Sequence, residues 1–514
     1  MAKETERLKN GPEMDQEVDL YSLVRKNSPY VALERTLVPI INFLITVYII
    51  RVLTVDDYGI YKLLLAVLSY VALLSSLGTQ GIFRRFIPEF FQKKELPKLK
   101  ALVEKGLLLR MVVCIGIVVV IIVFAKPIGN LFKFQRAMEY FAIFSVSIIF
   151  NLAGAMLANV LISVFRHKQY LVAQIIYVLF RGGILYILLS RGMGLMGLLI
   201  AESASYALLF VMSLVIYRKF LHVHSVKERA KLPLRRLLKF GGFTYFNEAG
   251  AQLLSVSTDY LIISAFLGPL AVGIYGFANR VMVLAARILP QSMFVNIIRP
   301  AFYMKYIQNE DADQTNRMFN FLTKMIAFFA VPLVLGIVVL GDKLILHVFD
   351  PKYMQSLNVL WIVAAFHSFN YFMDPIAIVL ESKEKVQVLL YSKIFAIYNL
   401  VGNLLVVKPY GVMGIAVVTG TSIMFKNLFC YFYARKVADI KLEYKGLFIV
   451  TVNALIMTVV ILLLRSQVHS LLTFVLVVLA GGGVYLAASY LNKAFTSTER
   501  KILNRVLPRP FFVF

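Results

Sequence analysis

With 514 residues, 60% of them hydrophobic, only 16% charged and a mean hydropathy of +0.77, the chain is too apolar for a soluble protein of its length. Its apolar runs approach or exceed the roughly 20 residues that span a hydrocarbon core, and they are continuous rather than alternating, so an all-α polytopic membrane protein is expected and a β-barrel is excluded. The net charge of +26 would point to nucleic acid in a soluble chain, but most Lys and Arg fall in connections, where they read as topology signals, and no nucleic-acid partner is expected.

In chain order, residues 1–28 form a polar tail with a short interfacial helix expected over 19–26, and Pro29 precedes span 1 (31–53). No cleavable signal peptide is apparent, so span 1 is expected to begin membrane insertion. A Thr-Val-Asp-Asp-Tyr-Gly turn at 54–59 leads into span 2 (60–82), and a basic, helical connection follows. Spans 3 (106–125), 4 (140–165), 5 (170–190) and 6 (194–217) come next, the last two joined by Arg191–Gly192–Met193–Gly194. Stretch 218–239 is strongly basic and reads as a linker along the membrane surface. Spans 7 and 8, within 244–299, form a hairpin around Leu267–Gly268–Pro269. Span 9 (318–340), an outer segment (341–356), span 10 (357–380) and span 11 (386–407) lead to the turn Lys408–Pro409–Tyr410–Gly411, which opens span 12, ending near Tyr433. Spans 13 (446–464) and 14 (471–491) complete a set of about 14. With the N-terminus inside, inner segments hold about 36 Lys and Arg and outer ones about 8, so both termini are expected in the cytoplasm.

Two self-matches indicate an internal repeat. Gly59–Ile60–Tyr61 and Gly273–Ile274–Tyr275 lie 214 residues apart, and Gly194–Leu195–Met196–Gly197 and Gly411–Val412–Met413–Gly414 lie 217 apart. Both offsets are six spans, an even number, so the copies run the same way through the membrane. The expected organisation is a cytoplasmic tail (1–28), an N lobe of spans 1–6 (29–217), a cytoplasmic linker (218–239), a C lobe of spans 7–12 (240–433), spans 13 and 14 (434–491) and a cytoplasmic tail (492–514). Gly481–Gly482–Gly483 in span 14 would permit close helix packing.

The long first span, the Asp-Asp-Tyr-Gly-Ile-Tyr turn at 56–61 and the Gly-Thr-Gln-Gly-Ile-Phe-Arg-Arg-Phe-Ile-Pro-Glu exit at 78–89 resemble the polysaccharide transporter branch, the O-antigen-type flippases, of the multidrug/oligosaccharidyl-lipid/polysaccharide exporter superfamily. The resemblance covers about residues 30–491. It implies two six-helix lobes arranged in a V around a central cavity, as in multidrug exporters of the superfamily, and a polyprenyl-pyrophosphate-linked oligosaccharide as substrate. The lipid flippases of peptidoglycan synthesis are similar, but their cationic cavity residues do not map by motif and none is carried over. Membrane lipids are the surroundings, and polysaccharide polymerases and glycosyltransferases come into consideration as protein partners.

Ionisable groups inside spans are expensive and usually face a bundle interior or a wet cavity. Three hairpins place an acid and a base at matching depth: Asp259 with Arg280, Arg181 with Glu202, and Asp374 with Lys393. Each pair reads either as a structural ion pair or as a switch. Arg287, Lys426 and Arg35 have no evident acidic partner apart from Glu34 beside Arg35, and guanidinium groups match phosphate oxygens bidentately. The candidate pyrophosphate ligands are therefore Arg287, Arg280, Arg35, Lys426, Lys393 and Arg181. The candidate coupling or gating carboxylates are Asp259, Glu248, Asp374 and Glu202, with Na+ or H+ as the ion. Arg51, Arg85, Arg110 and Arg299, near predicted span ends, read as interfacial anchors. Asn247, Gln252, Ser255, Ser257 and Thr258 make span 7 unusually polar.

His222 and His224 alone make a poor metal site, Cys114 and Cys430 read as packing residues, and no Walker-type phosphate loop is present. No cofactor is expected. A cation-coupled multidrug exporter is the first alternative, although basic residues outnumber acids within the spans. A membrane polysaccharide polymerase is the second. It would need a substantial outer catalytic loop, whereas 341–356 carries only Asp342 and Asp350. The expectation is transport, with no covalent chemistry.

Overall fold

The computed structural model describes residues 12–223, 231–288, 312–383, 385 and 387–506. Every regular element among them is helical, because long apolar stretches can satisfy their own backbone groups in lipid only as helices or closed barrels. The first half contains α1 (Pro12–Val52), α2 (Val55–Ser76), α3 (Thr79–Gln92), α4 (Leu96–Val123), α5 (Ala125–Leu131), α6 (Ala137–Ser163), α7 (His167–Ser190) and α8 (Gly194–Val223). The second half contains α9 (Leu234–Leu253), α10 (Val256–Leu267), α11 (Pro269–Ile288), α12 (Ala312–His347), α13 (Leu357–Tyr371), α14 (Met373–Ser382), α15 (Gln387–Tyr391), α16 (Phe395–Ala438), α17 (Tyr444–Leu464), α18 (Leu471–Leu491) and α19 (Ser497–Val506).

Among the described residues, twelve helical runs, and a thirteenth if the bent pair α9–α10 counts as one span, are long and apolar enough to cross a membrane. One of the twelve is the 52-residue run Gln387–Ala438. Straight, it would measure about 78 Å, more than twice the roughly 30 Å hydrocarbon core. It folds back at Gly411, whose φ of 58° and ψ of −145° suit glycine. Across that turn Asn399 Nδ2 donates to Thr419 Oγ1 at 3.0 Å and Ser422 Oγ to the Phe395 carbonyl at 2.8 Å, so the run houses predicted spans 11 and 12 as a hairpin.

Several boundaries differ from expectation. α1 continues through Pro29 and Pro39, so 19–26 forms part of one long helix. Predicted span 2 ends at Ser76, where Leu77 and Gly78 take positive φ, and 79–92 becomes the separate amphipathic α3. Span 7 is broken between Leu253 and Val256 with a 49° bend. Ser255 takes an extended conformation there, and the Gln252 carbonyl accepts from Ser255 Oγ and Thr258 Oγ1, bonds that compete with the helical ladder. Span 10 is broken at Phe372. Of the three span-14 glycines only Gly481 lies against a neighbour, Ile461. Ser470 and Thr473 form a capping box at the start of α18.

Internal contacts divide the chain into two units: residues up to Leu53 with Leu64–Ala249, and Thr54–Leu63 with Gly250–Phe514. The division falls within α9 rather than in the 218–239 linker. The first unit has a core of Phe83, Phe86, Phe90, Leu99, Met156, Leu161 and Phe220. The core of the second centres on Phe328, Ile378, Leu380, Cys430, Tyr485 and Phe495.

The repeat has a structural counterpart. Gly194 and Gly411, 217 residues apart, both adopt left-handed φ, of 51° and 58°. Within the second unit, Gly59 and Gly273 cross backbone to backbone. A Cβ on Gly59 would overlap the Pro269 carbonyl oxygen, and one on Gly273 would overlap that of Val55. Val55 and Pro269 are themselves 214 residues apart, so the contact is reciprocal, as two-fold symmetry requires.

Candidate functional site

Asp259 lies in the first turn of α10, eight residues before Leu267, and is fully buried. Asn403 is eight residues before Gly411 and Thr419 eight after it, so three chain segments bring polar groups to one depth. Asp259 Oδ2 accepts from Tyr275 Oη at 2.7 Å and Thr419 Oγ1 at 3.1 Å, and Oδ1 accepts from Asn403 Nδ2 at 2.9 Å. Asn403 Nδ2 also reaches Asn399 Oδ1 at 3.0 Å, while Asn403 Oδ1 is buried without a donor. The result is an oxygen-rich cluster around a carboxylate held by three neutral donors.

The expected Asp259–Arg280 ion pair is not formed. Tyr275, which meets Asp259, and Arg280 are five residues apart on α11, about 140° around the helix, so Arg280 faces another way. It lies within electrostatic reach of Tyr58 and Lys62 on α2. Lys62 is only 8% exposed, its stem runs against Gly276, and its Nζ sits 4.9 Å from the centre of the Tyr58 ring. No carboxylate pairs with Lys62 among the described residues. Arg287, two turns beyond Arg280, is exposed. Lys62 was missed by the sequence reading because it follows the acidic turn at 56–57 and looks like the wet end of a span. Its burial comes from the glycine crossing just before it.

A second basic pair lies at the far ends of the α15–α16 hairpin. Lys393 and Lys426 are half-buried, within electrostatic reach of each other and beside Cys430. The expected Asp374–Lys393 pair is also absent: the break at Phe372, followed by Pro375, leaves Asp374 exposed in the first turn of α14, and Lys393 has no carboxylate partner among the described residues.

In the first unit Arg181 and Glu202 are paired. Arg181 Nε donates to Glu202 Oε1 at 3.1 Å, Nη2 donates to the same oxygen, and Nη1 donates to Asn42 Oδ1 at 3.2 Å. Its charge is thereby neutralised inside the bundle. Glu248, half-buried on α9, lies within electrostatic reach of Arg84 and Arg110. Arg110 is no interfacial anchor. α4 begins ten residues earlier than predicted, which puts Arg110 in mid-helix, 3% exposed, with Nη2 donating to the Ala72 carbonyl at 3.2 Å. Arg35, Arg51 and Arg85 are exposed, with Glu34 half-buried beside Arg35. Arg299 and His224 lie outside the described residues.

The two outer-segment carboxylates are engaged in structure. Asp342 accepts from Arg465 Nη2 at 2.8 Å, and Asp350 caps the turn Pro351–Ser356 through the Lys352 backbone N–H. No cluster of three or more His, Cys, Asp or Glu suited to a metal occurs among the described residues.

Long apolar spans that bury Lys62 with no carboxylate beside it among the described residues define a polytopic membrane transporter rather than an enzyme. A family model described as "Polysaccharide biosynthesis protein" matches residues 24–304, and one described as "Lipid II flippase MurJ" matches residues 222–481. The chain belongs to the polysaccharide biosynthesis protein family, among the polysaccharide transporters of the multidrug/oligosaccharidyl-lipid/polysaccharide exporter superfamily. It is 23% identical to the "Probable low-salt glycan biosynthesis flippase Agl15" of Haloferax volcanii over 91% of this chain and 96% of that protein. Its fold matches a lipid II flippase MurJ in an inward closed conformation over 93% of this chain and 99% of the other, with a TM-score of 0.68 at 16% identity. It also matches an inward-facing multidrug resistance transporter of the superfamily over 79% of this chain and 98% of the other, with a TM-score of 0.60 at 14% identity.

Proposed function

We propose that this chain is a flippase that carries a polyprenyl-pyrophosphate-linked glycan across the cell membrane by alternating access of two lobes, with both termini in the cytoplasm. The observation that carries this reading is Lys62 beside Arg280: two cations within membrane spans, one of them nine-tenths buried and, among the described residues, without a carboxylate. An unpaired buried charge is costly to keep, and a pyrophosphate would satisfy it. The glycan and lipid-precursor flippases among its relatives support the same class of substrate. Arg287, Lys393 and Lys426 are further ligands along the path, whereas Arg181, held by Glu202, positions helices.

Asp259 is the coupling carboxylate in this reading. Its neutral donors would hold the charged form for Na+, and protonation would release the cluster as readily for H+. The same feature favours the alternative, a cation-coupled drug exporter, because Asp259 is a buried acid that no cation among the described residues neutralises.

The deciding experiment deletes the gene in its host and measures which leaflet holds the lipid-linked glycan, then rescues with Lys62→Ala and Lys62→Arg. Accumulation on the inner leaflet, corrected by wild type and by arginine better than by alanine, is expected. An unchanged lipid-linked pool with new sensitivity to cationic drugs would replace this reading with the exporter.

A further inference from the structure

The first unit contains a cavity of about 230 Å³ walled by α6, α7 and α8, lined by Phe150, Asn151, Tyr170, Gln174, Tyr177 and Tyr206. Gly154, Ala155 and Ala158 give its α6 wall little bulk. Three phenols and two primary amides facing one space are unusual in an apolar bundle, where each polar group needs a partner. Gln174 Nε2 donates to Tyr170 Oη, which leaves the Gln174 carbonyl to accept and the Tyr170 hydroxyl to donate. The Asn151 amide makes no side-chain hydrogen bond among the described residues. The Tyr177 and Tyr206 rings stack at 5.8 Å and 24°.

These features narrow the occupant. The charges that reach the walls come in opposite pairs, Arg181 with Glu202 at Tyr177 and Glu34 with the adjacent Arg35 at Tyr170, so the cavity suits neither a pyrophosphate nor a cation. A prenyl chain would leave the Asn151 amide buried and unsatisfied. The volume falls below the roughly 300–1,000 Å³ of drug-sized sites and accepts about one ring. A neutral ring with an apolar C–H face and a rim of hydroxyls meets both the aromatic wall and the amides. We infer that the cavity binds one pyranose ring of the glycan, with Asn151, Gln174 and Tyr170 hydrogen-bonding its hydroxyls and Tyr206 covering its face.

This assignment rests on the lipid-linked glycan reading, and the test separates the two. Full-length protein in nanodiscs is titrated with undecaprenyl pyrophosphate and with the same lipid bearing one glucose, galactose or N-acetylglucosamine. A few hydrogen bonds of about 1 kcal/mol each predict that wild type binds at least one glycosylated lipid about tenfold more tightly than the bare one. Asn151→Leu with Gln174→Leu, and separately the cavity-filling Ala155→Phe, should abolish that preference and leave affinity for the bare lipid unchanged. The cavity is misassigned if wild type shows no preference for any of the three sugars, or if both variants keep it. If wild type binds none of the four lipids, the pyrophosphate-lipid reading fails and the cavity assignment falls with it.

Discussion

At the scale of single residues, the decisive feature is charge that the fold buries without neutralising. Lys62 is packed against Gly276 and the Tyr58 ring with no acid beside it among the described residues. Replacing it by methionine keeps the stem and removes the desolvated charge. Lys62→Met is therefore expected to unfold later than wild type, by about 1–3 kcal/mol, while losing transport about 10–100-fold. Both cysteines are buried, so a thiol-reactive fluorophore follows unfolding directly. A Lys62→Met protein that is less stable and fully active would contradict the role given to this lysine. Asp259 makes the opposite case, an acid buried among neutral donors. Asp259→Asn keeps the shape of the cluster and removes its charge. Transport into vesicles, measured against pH and Na+ concentration, should lose its ion dependence in this variant, and retention of the full dependence would remove Asp259 from coupling. The acid was visible as a charge inside span 7. Its partners were not, although Asn399 and Asn403, one helical turn apart in an apolar run, were a readable signal.

At the scale of elements, two close helix contacts organise the chain. At the first, Gly59 and Gly273 meet without room for a methyl group. Gly59→Ala and Gly273→Ala should each lower stability by about 1–3 kcal/mol through forced displacement of backbone, whereas Gly183→Ala, with open space around it, should be neutral or mildly stabilising. Thermal unfolding of the three variants side by side is the check. At the second, Gly78 lies against the backbone of Gly241, and α3 is clamped to α9. Arg236 donates to Glu89 Oε1 at 2.9 Å and Oε2 at 3.0 Å, and its guanidinium covers the Phe86 ring at 4.9 Å. The Arg236 hydrogen bonds, with help from Lys93, hold the Glu89 carboxyl below its usual pKa of 4.5. A depressed carboxylate contributes stability above its unfolded pKa and loses it as pH falls through the folded one. Glu89→Gln should thus be less stable than wild type by about 0.2–1 kcal/mol near neutrality, and the difference should shrink steadily as pH falls below the ordinary carboxyl value of 4.5. A difference that grows on acidification would contradict the clamp.

At the scale of the whole molecule, the excess of basic residues on alternate connections is the basis of the proposed topology. Reporter fusions at the C-terminus and in the outer segment near Lys352 should report opposite sides, with the C-terminus cytoplasmic; the same side for both would break the proposed span count. The parallel repeat explains why helices six spans apart behave alike. Gly194 and Gly411 turn with the same left-handed φ, and the Gly59–Gly273 contact is reciprocal.

The sequence by itself determined the membrane class, the helical architecture, the approximate span set and the repeat. Each follows from local properties: apolar run length, turn residues and their recurrence. It also determined the Arg181–Glu202 pair, because both residues lie on the facing sides of one short hairpin at matching depth. Only the tertiary structure decided the partners of the remaining charges. Depth alone suggested Asp259 with Arg280 and Asp374 with Lys393, but pairing also needs the right helical face. The bend before Val256, the break at Phe372 and the early start of α4 reset which faces meet. The burial of Lys62 and Arg110 had the same origin: a side chain near a predicted span end is wet or dry according to what packs over it, and that is a property of distant chain segments rather than of its neighbours in sequence.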